Sequence, residues 1–555
     1  MRRRWAAALA IAVLAQGACG GVQGGPGRRS SFAGSSSRDE RVLLTRFADV
    51  TGVGVTQRLV FITTPQGLGV YDRQFDAWLP PLAAGTEYPG DRVSFVAGDP
   101  TTDAVWVGGA GFVFYYQPSI DLFARANVPG AVDYIMFDRR NAGGGALVRS
   151  AGQWSRVSST GFVQPVLNAA DLPAAPDQIR PPTLAQLYDE FPGLQSFERL
   201  LTRDSRLRSW QVSSGAKSPD RASEVWLGTL GNGLYKVNPL FNSAENIPFG
   251  LLEPGAGALA LAADGVWAAG SGDPGPDRRG GITFIESSLQ EWRWLEGGLT
   301  QPLAGVRAYD LEVRGEWAWV ATERGVARVA TRNDEDFVLW AGVHGLPDDR
   351  AYAVAARPGG AWVGTARGLV FLADSASRRS PGRGSVGRTL LSGTPVRALL
   401  ATGDTLWIGT DAGLLLLQPG NDSLPVRAAA SEGEPRLLQP VRAIARSDSI
   451  VVVANADELL RYDLNTGRLL PRLDAVNVRG VGRVNTVAVD GRTLWVGGAL
   501  GVIVVDRGTG TSRFLGAADR IAAEAYDIVL ARDFAWVATR AGVVRLTRLP
   551  DGTVR

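Results

Sequence analysis

One short tryptophan-centred phrase returns along the chain at a nearly constant interval. In its clearest copy, residues 406–414 read Leu-Trp-Ile-Gly-Thr-Asp-Ala-Gly-Leu. Consecutive copies lie 41 to 52 residues apart, except for one interval of 79 residues, and eight of the 16 tryptophans occupy the second position of the phrase. We call that position the Trp slot; its occupants are Phe61, Trp106, Leu147, Trp226, Trp267, Trp319, Trp362, Trp407, Val452, Trp495 and Trp536. Such a period predicts an array of small units that bury their apolar faces against one another.

Local order within a repeat predicts four antiparallel strands. A β-rich segment such as 396–400 precedes a turn, the Trp strand, a Thr-Asp-Ala-Gly turn, a third strand and a polar edge strand. Glycine and aspartate supply the positive φ angles that tight hairpins need. Four strands in this length match one propeller blade. The fold is therefore predicted to be all-β, a β-propeller of four-stranded antiparallel blades with about eleven repeats; a β-sandwich or a solenoid of unrelated hairpins is the alternative.

The phrase at 406–414 resembles the repeats of the two-component regulator propeller family, which run Leu-Trp-Ile-Gly-Thr-x-x-Gly-Leu. The resemblance extends from about Arg41 to Arg555 and is strongest around Trp226, Trp362 and Trp407. It implies a propeller fold and a role in extracytoplasmic sensing. It does not define an activity, because one fold carries many functions.

Eleven blades exceed the four to eight that usual rings hold, which favours two propellers, with one large ring as the alternative. The predicted organisation is N-terminal blades at 40–165, an insertion at 166–220 and further blades at 221–555, with the boundary between rings in 160–225 or near 255. The last copy supplies three strands. We expect the segment Arg41–Thr45 to provide the missing outer strand and so close a ring.

The 79-residue interval carries the clear helical patterns of the chain. Apolar residues at 184, 187, 188 and 191 have helical spacing behind a capping-box sequence, and a second apolar stripe follows at 194, 197, 200 and 201. This predicts a short helical hairpin. It is either a lid or docking element for a partner, or a structural element packed on a ring face or at an inter-ring junction.

The N-terminus has the pattern of a secretory signal. Three arginines precede an apolar run at 5–15, and Cys19, the single cysteine, follows small residues at 17 and 18. This resembles a lipobox and predicts a signal peptide at 1–19 whose Cys19 is lipidated; ordinary signal cleavage is the alternative. A Gly/Ser-rich tether at 20–39 follows. The expected location is extracytoplasmic, on the outer membrane if the cell has one, with membrane contact through the N-terminal lipid only.

The number and distribution of charged residues do not favour binding to nucleic acid. Basic and acidic residues number 58 and 55, giving a net charge of +3, and only Lys217 and Lys236 are lysines. No segment interleaves arginine with aromatic residues as a phosphate-tracking groove requires. We therefore predict no nucleic-acid partner.

Catalytic and metal-binding patterns are absent from the sequence. The single histidine, His344, excludes a histidine metal cluster, and neither a nucleophile elbow nor a phosphate loop is present. Acidic clusters at 333–336 and at Asp273 with Asp277 follow no calcium-loop pattern. The sequence predicts no enzyme, no cofactor and no metal.

Two sets of residues are candidates for ligand or partner binding. Arg324, Arg367 and Arg540 occupy equivalent turns of three repeats, so a ring would bring them to one face as a cationic arc. The aromatic residues Trp292, Trp294 and Trp340 are expected to be exposed, where they would stack on sugars or anchor a protein; packing between blades is the alternative. The leading hypothesis is a non-catalytic, lipid-anchored propeller that binds envelope proteins as a scaffold or sensory module. The alternatives are a carbohydrate-binding propeller and a propeller enzyme that processes glycans or peptides.

Overall fold

The strands of this computed structural model pair only with antiparallel neighbours, as the repeat predicts. The structure describes residues 41–90, 92–137, 145–167, 172, 184–194, 208–241, 243–273, 279–296, 303–332, 336–374, 381, 384–418, 426–427, 434–456, 458–471, 478–522, 524–549 and 553–554. Within these residues the strands form eleven blades, numbered here in chain order. The predicted all-β propeller fold is confirmed.

Blades 1 to 4 form the first set, which we call the four-blade group. Blades 2 and 3 share one long strand, β8, whose first half pairs with β7 and whose second half pairs with β9. The group contains blade 1, β2 (Gly52–Val55), β3 (Leu59–Thr64), β4 (Gly67–Asp72) and β5 (Ala77–Ala83); blades 2 and 3, β6 (Val93–Asp99), β7 (Ala104–Gln117), β8 (Leu122–Phe137), β9 (Gly145–Ser150), β10 (Gln153–Ser158) and β11 (Val163–Pro165); and blade 4, β12 (Gln211–Lys217), β13 (Val225–Leu230), β14 (Gly233–Asn238) and β15 (Ser243–Ile247).

Blades 5 to 11 form the second set, which we call the seven-blade ring. Blade 11 incorporates β1 (Arg41–Leu44) from the start of the described chain. The strands are β16 (Ala256–Leu261), β17 (Gly265–Gly270), β18 (Ile282–Glu286), β19 (Trp292–Leu295), β20 (Ala308–Arg314), β21 (Trp317–Thr322), β22 (Gly325–Ala330), β23 (Phe337–Trp340), β24 (Ala351–Arg357), β25 (Gly360–Thr365), β26 (Gly368–Ala373), β27 (Val396–Thr402), β28 (Thr405–Thr410), β29 (Gly413–Leu417), β30 (Val426–Arg427), β31 (Ala443–Ser447), β32 (Ile450–Ala454), β33 (Leu459–Asp463), β34 (Arg468–Leu469), β35 (Val484–Val489), β36 (Thr493–Gly498), β37 (Gly501–Asp506), β38 (Ser512–Leu515), β39 (Ala525–Leu530), β40 (Phe534–Thr539) and β41 (Gly542–Thr547).

The inner strands of blades 5 to 11 close into a cycle. Each contacts the next in the order β16, β20, β24, β27, β31, β35 and β39, and β39 contacts β16 again. Strand β1 pairs antiparallel with β41, from Arg41 opposite Leu546 to Leu44 opposite Val543. The prediction that the N-terminal segment completes the last blade is confirmed. Closing the ring with a strand from the far end of the sequence joins its two ends by hydrogen bonds.

The Trp slot connects each blade to the next one. Trp495 of blade 10 lies in one apolar cluster with Val537 of blade 11, and Trp536 of blade 11 lies in another with Val266 of blade 5. Seven of the eight slot tryptophans are buried, and Trp362 is half-buried. Close approach is possible because a small residue follows two positions later: a Cβ atom on Gly409 would lie 2.6 Å from a methyl carbon of the next blade's Val441.

The four-blade group is arranged in the order 4, 1, 2, 3, as shown by contacts of β12 with β2, β2 with β6, and β6 with β8. Helix α1 (Leu184–Glu190) packs on blade 4. Its Leu187 lies in a cluster with Val225 and Leu227, which flank the Trp slot of blade 4. In the ring, the corresponding surface of blade 9 receives Trp407 of blade 8. The helix therefore occupies the place that a preceding blade takes elsewhere.

The insertion differs in extent from the predicted 166–220, since β12 already belongs to blade 4. Its residues 211–217 pair with β13, although their sequence, Gln-Val-Ser-Ser-Gly-Ala-Lys, has little β-branched character. The first half of the predicted helical hairpin is α1. The second stripe, at 197, 200 and 201, lies outside the described residues.

Two chain segments connect the four-blade group with the ring. Residues 45–51 lead from β1 into blade 1, and residues 248–255 return from blade 4 to blade 5. The two segments bridge at Arg46 and Gly250, and the rings of Phe47 and Phe249 lie 4.8 Å apart between centroids. The four-blade group is thus an insertion between the outer strand of blade 11 and the inner strand of blade 5.

Candidate functional site

A bulge near the start of six of the seven inner strands of the ring places one residue at the ring axis. Register shifts place the bulged residue between Ala308 and Asp310, and between Ala525 and Asp527, with equivalent shifts in four other blades. In blade 9 the Arg442 N–H donates to the Ala454 carbonyl at the corresponding place. The residues at this position are Gly257, Tyr309, Tyr352, Arg397, Arg442, Asn485 and Tyr526.

These seven residues line one cavity of about 340 Å³, which we call the axial cavity. All seven inner strands contribute, so the cavity lies on the ring axis. Arg307, Ala308, Arg483 and Val484 complete the lining. The wall therefore presents four guanidinium groups and three phenol rings, a composition suited to a ligand that is anionic and has a face for stacking.

Two of the arginines are held by aromatic rings. Arg307 has its guanidinium carbon 4.4 Å from the ring centroid of Tyr526 and 5.2 Å from that of Tyr309. Arg397 lies 4.5 Å from the centroid of Tyr352 and donates two hydrogen bonds of 3.1 Å to Asp411. These contacts orient the cations and remove part of their side-chain freedom before any ligand arrives.

The other two arginines differ in their partners. Arg483 forms an ion pair of 2.9 Å with Glu524, which also accepts a hydrogen bond from Asn485. Arg442 has no ion pair or side-chain hydrogen bond in the described part of the chain. Its Nε atom is buried without an acceptor, and the same holds for Nε of Arg307. The side chain of Arg442 is therefore the least engaged of the four guanidinium groups that line the cavity.

Buried carboxyl groups lie on the inner strands one residue beyond the bulge. Asp310 accepts the Val354 N–H at 2.8 Å, and Asp527 accepts the Leu259 N–H at 2.8 Å, so each carboxyl joins its blade to the next. Loss of hydration, together with the charge of Asp527, raises the pKa of Asp310 to about 8. The pKa of Asp527 is raised as well, because of its burial. The neutral forms of these groups are thereby favoured.

The predicted arginine arc lies on the same face as the axial cavity. Arg324, Arg367 and Arg540 are exposed in turns between second and third strands. The turn of blade 6 contacts the start of its inner strand, since the Glu323 N–H donates to the Arg307 carbonyl at 3.1 Å. None of the three predicted arginines lines the cavity, and Arg367 lies 3.5 Å from Asp348 in an exposed ion pair.

The predicted tryptophans do not form an exposed binding surface. Trp340 is fully buried and donates to Ser385 at 3.0 Å, while Trp292 is 4% exposed. Trp294 is half-buried; its Nε1 donates to the Gly250 carbonyl at 2.8 Å, and Arg279 stacks on its ring at 4.5 Å. The predicted exposure of these tryptophans is therefore wrong, because packing of the blades buries Trp292 and Trp340 fully and Trp294 in part.

The axial residues were missed although the sequence carries a signal for them. Each lies ten positions before the Trp slot of its blade, as in Tyr309 and Trp319 or Tyr526 and Trp536. That spacing is not recognisable as functional until the bulge shows which side chain of the inner strand leaves the blade. The single histidine, His344, lies apart in an exposed turn, where its Nδ1 accepts the Ala341 N–H.

Several predicted features lie outside the residues that the structure describes. Cys19, the signal peptide at 1–19 and the tether at 20–39 lie outside the described residues, as do most of the acidic cluster at 333–336 and Asp277. Among the described residues, no three of the metal-ligating side chains converge. In the same part of the chain, no helix has the length and apolar character to cross a membrane.

Comparisons with known proteins give structural neighbours of low sequence identity. No family model matches the chain. No curated protein matches it either. The extracellular domain of the putative hybrid two-component system BT4673 from B. thetaiotaomicron is 13% identical, with a TM-score of 0.40 over 89% of this chain and 75% of that one. PorZ, described as a surface component of the type-IX secretion system of Porphyromonas gingivalis, is 11% identical, with a TM-score of 0.40 over 90% and 68%. The computationally designed Ika8 protein is 15% identical, with a TM-score of 0.37 over 59% and 94%.

Proposed function

We propose that this chain is a non-catalytic binding module of the cell envelope, anchored outside the cytoplasm through a lipid on Cys19, that holds a protein partner on the cavity-bearing face of the seven-blade ring. The observation that carries the proposal is the axial cavity. The guanidinium groups of Arg307, Arg397 and Arg483 are held by neighbouring side chains and line the cavity on the ring axis. Such preorganised donors favour binding.

The chemistry of the lining favours binding over catalysis. The residues that line the axial cavity include no carboxylate, histidine, cysteine, serine or threonine. Guanidinium groups stay protonated at all relevant pH values and do not act as general bases. Burial raises the pKa of Tyr309, which makes its phenol a weaker acid. A wall of this composition orients an anion, and its lining residues include no carboxylate or histidine that would act as a general base.

The envelope location rests on the N-terminal sequence. The arginines at 2–4, the apolar run and Cys19 have the order of a lipoprotein signal, and a tether at 20–39 separates them from the blades. Radioactive or clickable fatty acid is expected to label the full chain in cells and not the Cys19→Ala variant. Equal labelling of both proteins would contradict the anchor.

Carbohydrate binding is the second candidate function. The rings of Tyr309 and Tyr352 form an edge-to-face pair with centroids 5.4 Å apart at the cavity, and Asn485 adds an amide. Aromatic faces beside an amide are a common surface for sugars. A glycan panel on the purified chain tests this candidate, with Tyr352→Ala as the variant expected to lose any binding.

Affinity capture tests the leading proposal. The tagged chain, purified from detergent-solubilised membranes of its own cells, is expected to bring down one protein in constant stoichiometry. A matched variant with Arg324, Arg367 and Arg540 changed to alanine alters the same face without touching the cavity wall. Recovery of the wild-type chain alone, at low ionic strength and without cross-linker, would contradict the scaffold function.

A further inference from the structure

We infer that the axial cavity is a carboxylate-binding site, in which Arg442 and Arg307 hold the carboxylate of a ligand that enters the ring end-on. The inference deepens the proposed binding function and rests on it. It names the chemistry of the group that enters the cavity: an organic carboxylate with a stackable or hydroxylated body.

The charges around the cavity do not cancel. Four arginines line it, whereas the carboxylates that pair with lining arginines are Asp411, bound by Arg397, and Glu524, bound by Arg483. Burial raises the pKa of the Glu524 carboxyl, but its hydrogen bonds and the nearby positive charges, including that of Arg307, outweigh this effect and lower the pKa below its ordinary value. An excess of positive charge therefore remains on the wall, contributed chiefly by Arg442.

Unsatisfied donors point to the same conclusion. The Nε atoms of Arg307 and Arg442 are buried and have no acceptor. A guanidinium group whose Nε–H has no acceptor in the protein keeps more of its hydrogen-bonding capacity for a ligand than one that is already paired. The planar fork of a guanidinium group matches the two oxygens of a carboxylate.

The shape of the site restricts how the ligand enters. A cavity on the ring axis is surrounded by seven inner strands, and its volume of about 340 Å³ accommodates a group the size of one sugar or one side chain. A polymer lying across the face would not place its backbone there. The ligand must present its carboxylate at an end or a tip, as a terminal acidic sugar does, or as an acidic side chain or C-terminus of a peptide does.

Titration calorimetry on the purified full chain tests the inference with three probes: D-glucuronate, the peptide acetyl-Gly-Gly-Glu and inorganic phosphate. At least one carboxylate probe is expected to bind one-to-one and more tightly than phosphate. Glucuronate binding alone assigns the source to acidic saccharides, and peptide binding alone assigns it to acidic peptides; either result supports the site. No saturable binding by either carboxylate probe, or phosphate binding equally well, overturns the inference.

Two arginines of blade 9 provide a matched pair of variants. Arg442 precedes β31 at the cavity, whereas Arg446 lies exposed towards the other end of the same strand and donates to the Asp448 carbonyl. The Arg442→Ala variant is expected to bind the carboxylate at least tenfold more weakly, Arg442→Lys to recover part of the loss, and Arg446→Ala to match the wild type. Equal binding by Arg442→Ala and the wild type, with both folded by circular dichroism, overturns the inference.

Failure of the inference is distinguishable from failure of the proposed function. A chain that captures a membrane partner but binds no carboxylate probe contradicts the cavity assignment and leaves the scaffold function standing. A chain that binds a carboxylate probe but captures no protein contradicts the scaffold function and supports the cavity assignment.

Discussion

The seven-blade ring and the four-blade group use one repeat but terminate it differently. In the ring, blade 11 packs Trp536 against blade 5 and is completed by β1, so every blade has a blade on each side. In the four-blade group, the corresponding side of blade 4 is covered by α1. The repeat therefore determines the structure of a single blade. The elements that cover the first and last blades of a set determine whether that set closes into a ring.

The two sets also differ at the bulge of the inner strand. In the four-blade group, Ser94 and Ser213 occupy the bulges of blades 2 and 4. The Ser94 hydroxyl donates to the Val132 carbonyl of blade 3, and the Ser213 hydroxyl donates to the Val50 carbonyl just before blade 1. In the ring, the same position carries tyrosine or arginine in five of seven blades and lines the axial cavity. In blades 2 and 4 the bulged residue therefore bonds to a neighbouring segment of the chain, whereas in the ring it lines the axial cavity.

Removing the contact between blades 11 and 5, which closes the ring, should cause a large loss of stability. Trp536→Ala removes a fully buried indole between blades 11 and 5 and is expected to cost about 3–5 kcal/mol of unfolding free energy. Trp362→Ala, at the half-buried slot, is the control and should cost less. Urea unfolding measures both; an equal or smaller loss at Trp536 would show that the ring does not depend on this contact.

Weakening the contact between α1 and blade 4 should destabilise only the end of the four-blade group. Leu187 of α1 is fully buried against blade 4, so Leu187→Ala is expected to cost about 2–4 kcal/mol and to increase hydrogen exchange in blade 4. Glu190→Gln, which removes an exposed ion pair with Lys217, should change stability by less than about 1 kcal/mol. Faster exchange in blades 5 to 11 instead would mean that α1 supports the ring.

Blade 5 lacks a feature that its neighbours share. In blades 6, 7, 8 and 11 a threonine ends the Trp strand; in blade 6, Thr322 accepts the Arg324 N–H and donates to the Gly325 carbonyl. Blade 5 has Gly270 there, and the Glu253 carboxyl accepts the Gly272 N–H in place of the hydroxyl. Burial raises the pKa of Glu253 to about 9, which favours the protonated group.

A double-mutant cycle tests this replacement. A Cβ atom at Gly270 would lie 2.1 Å from the Glu253 carboxyl carbon, so Gly270→Thr alone should destabilise. Glu253→Ala alone removes the acceptor of the Gly272 N–H, at a cost of roughly 1–3 kcal/mol. The double variant restores the arrangement of the neighbouring blades and should lose less than the sum of the two. If the losses of unfolding free energy in the two single variants add up in the double variant, as measured by thermal or urea unfolding, the Glu253 carboxyl does not take the place of the threonine hydroxyl.

The last prediction concerns the pH dependence of stability. The pKa of Asp310 is about 8 in the folded chain and 3.8 when exposed, so folding retains a proton between these values. Its contribution to stability is full below pH 3.8 and is lost as pH rises towards 8, with a slope of at most about 1.4 kcal/mol per pH unit. Asp310→Asn should flatten the fall in unfolding free energy between pH 5 and pH 8, whereas Asp404→Asn, at an exposed turn, should not. An unchanged slope in the first variant would contradict the assignment.

Sequence reasoning recovered the parts of the fold that repeat. The Trp slot and the turns are local patterns, and the need for an additional strand in blade 11 follows from the three strands of the last repeat. Each is present in the structure. Of the predicted binding residues, the arginine turns lie on the face that carries the axial cavity, whereas Trp292 and Trp340 are buried by packing. Exposure of an aromatic residue depends on neighbouring blades that are distant in sequence, and no local pattern reports it.

By itself the sequence determined the blade, because hairpin turns, alternating strands and one large side chain per repeat act over a few tens of residues. Only the tertiary structure decided how eleven such blades divide into seven and four, since that division depends on which elements cover the terminal blades. It also decided which side chains meet on the axis. Seven residues spread over some 270 positions, from Gly257 to Tyr526, become neighbours only when the ring closes.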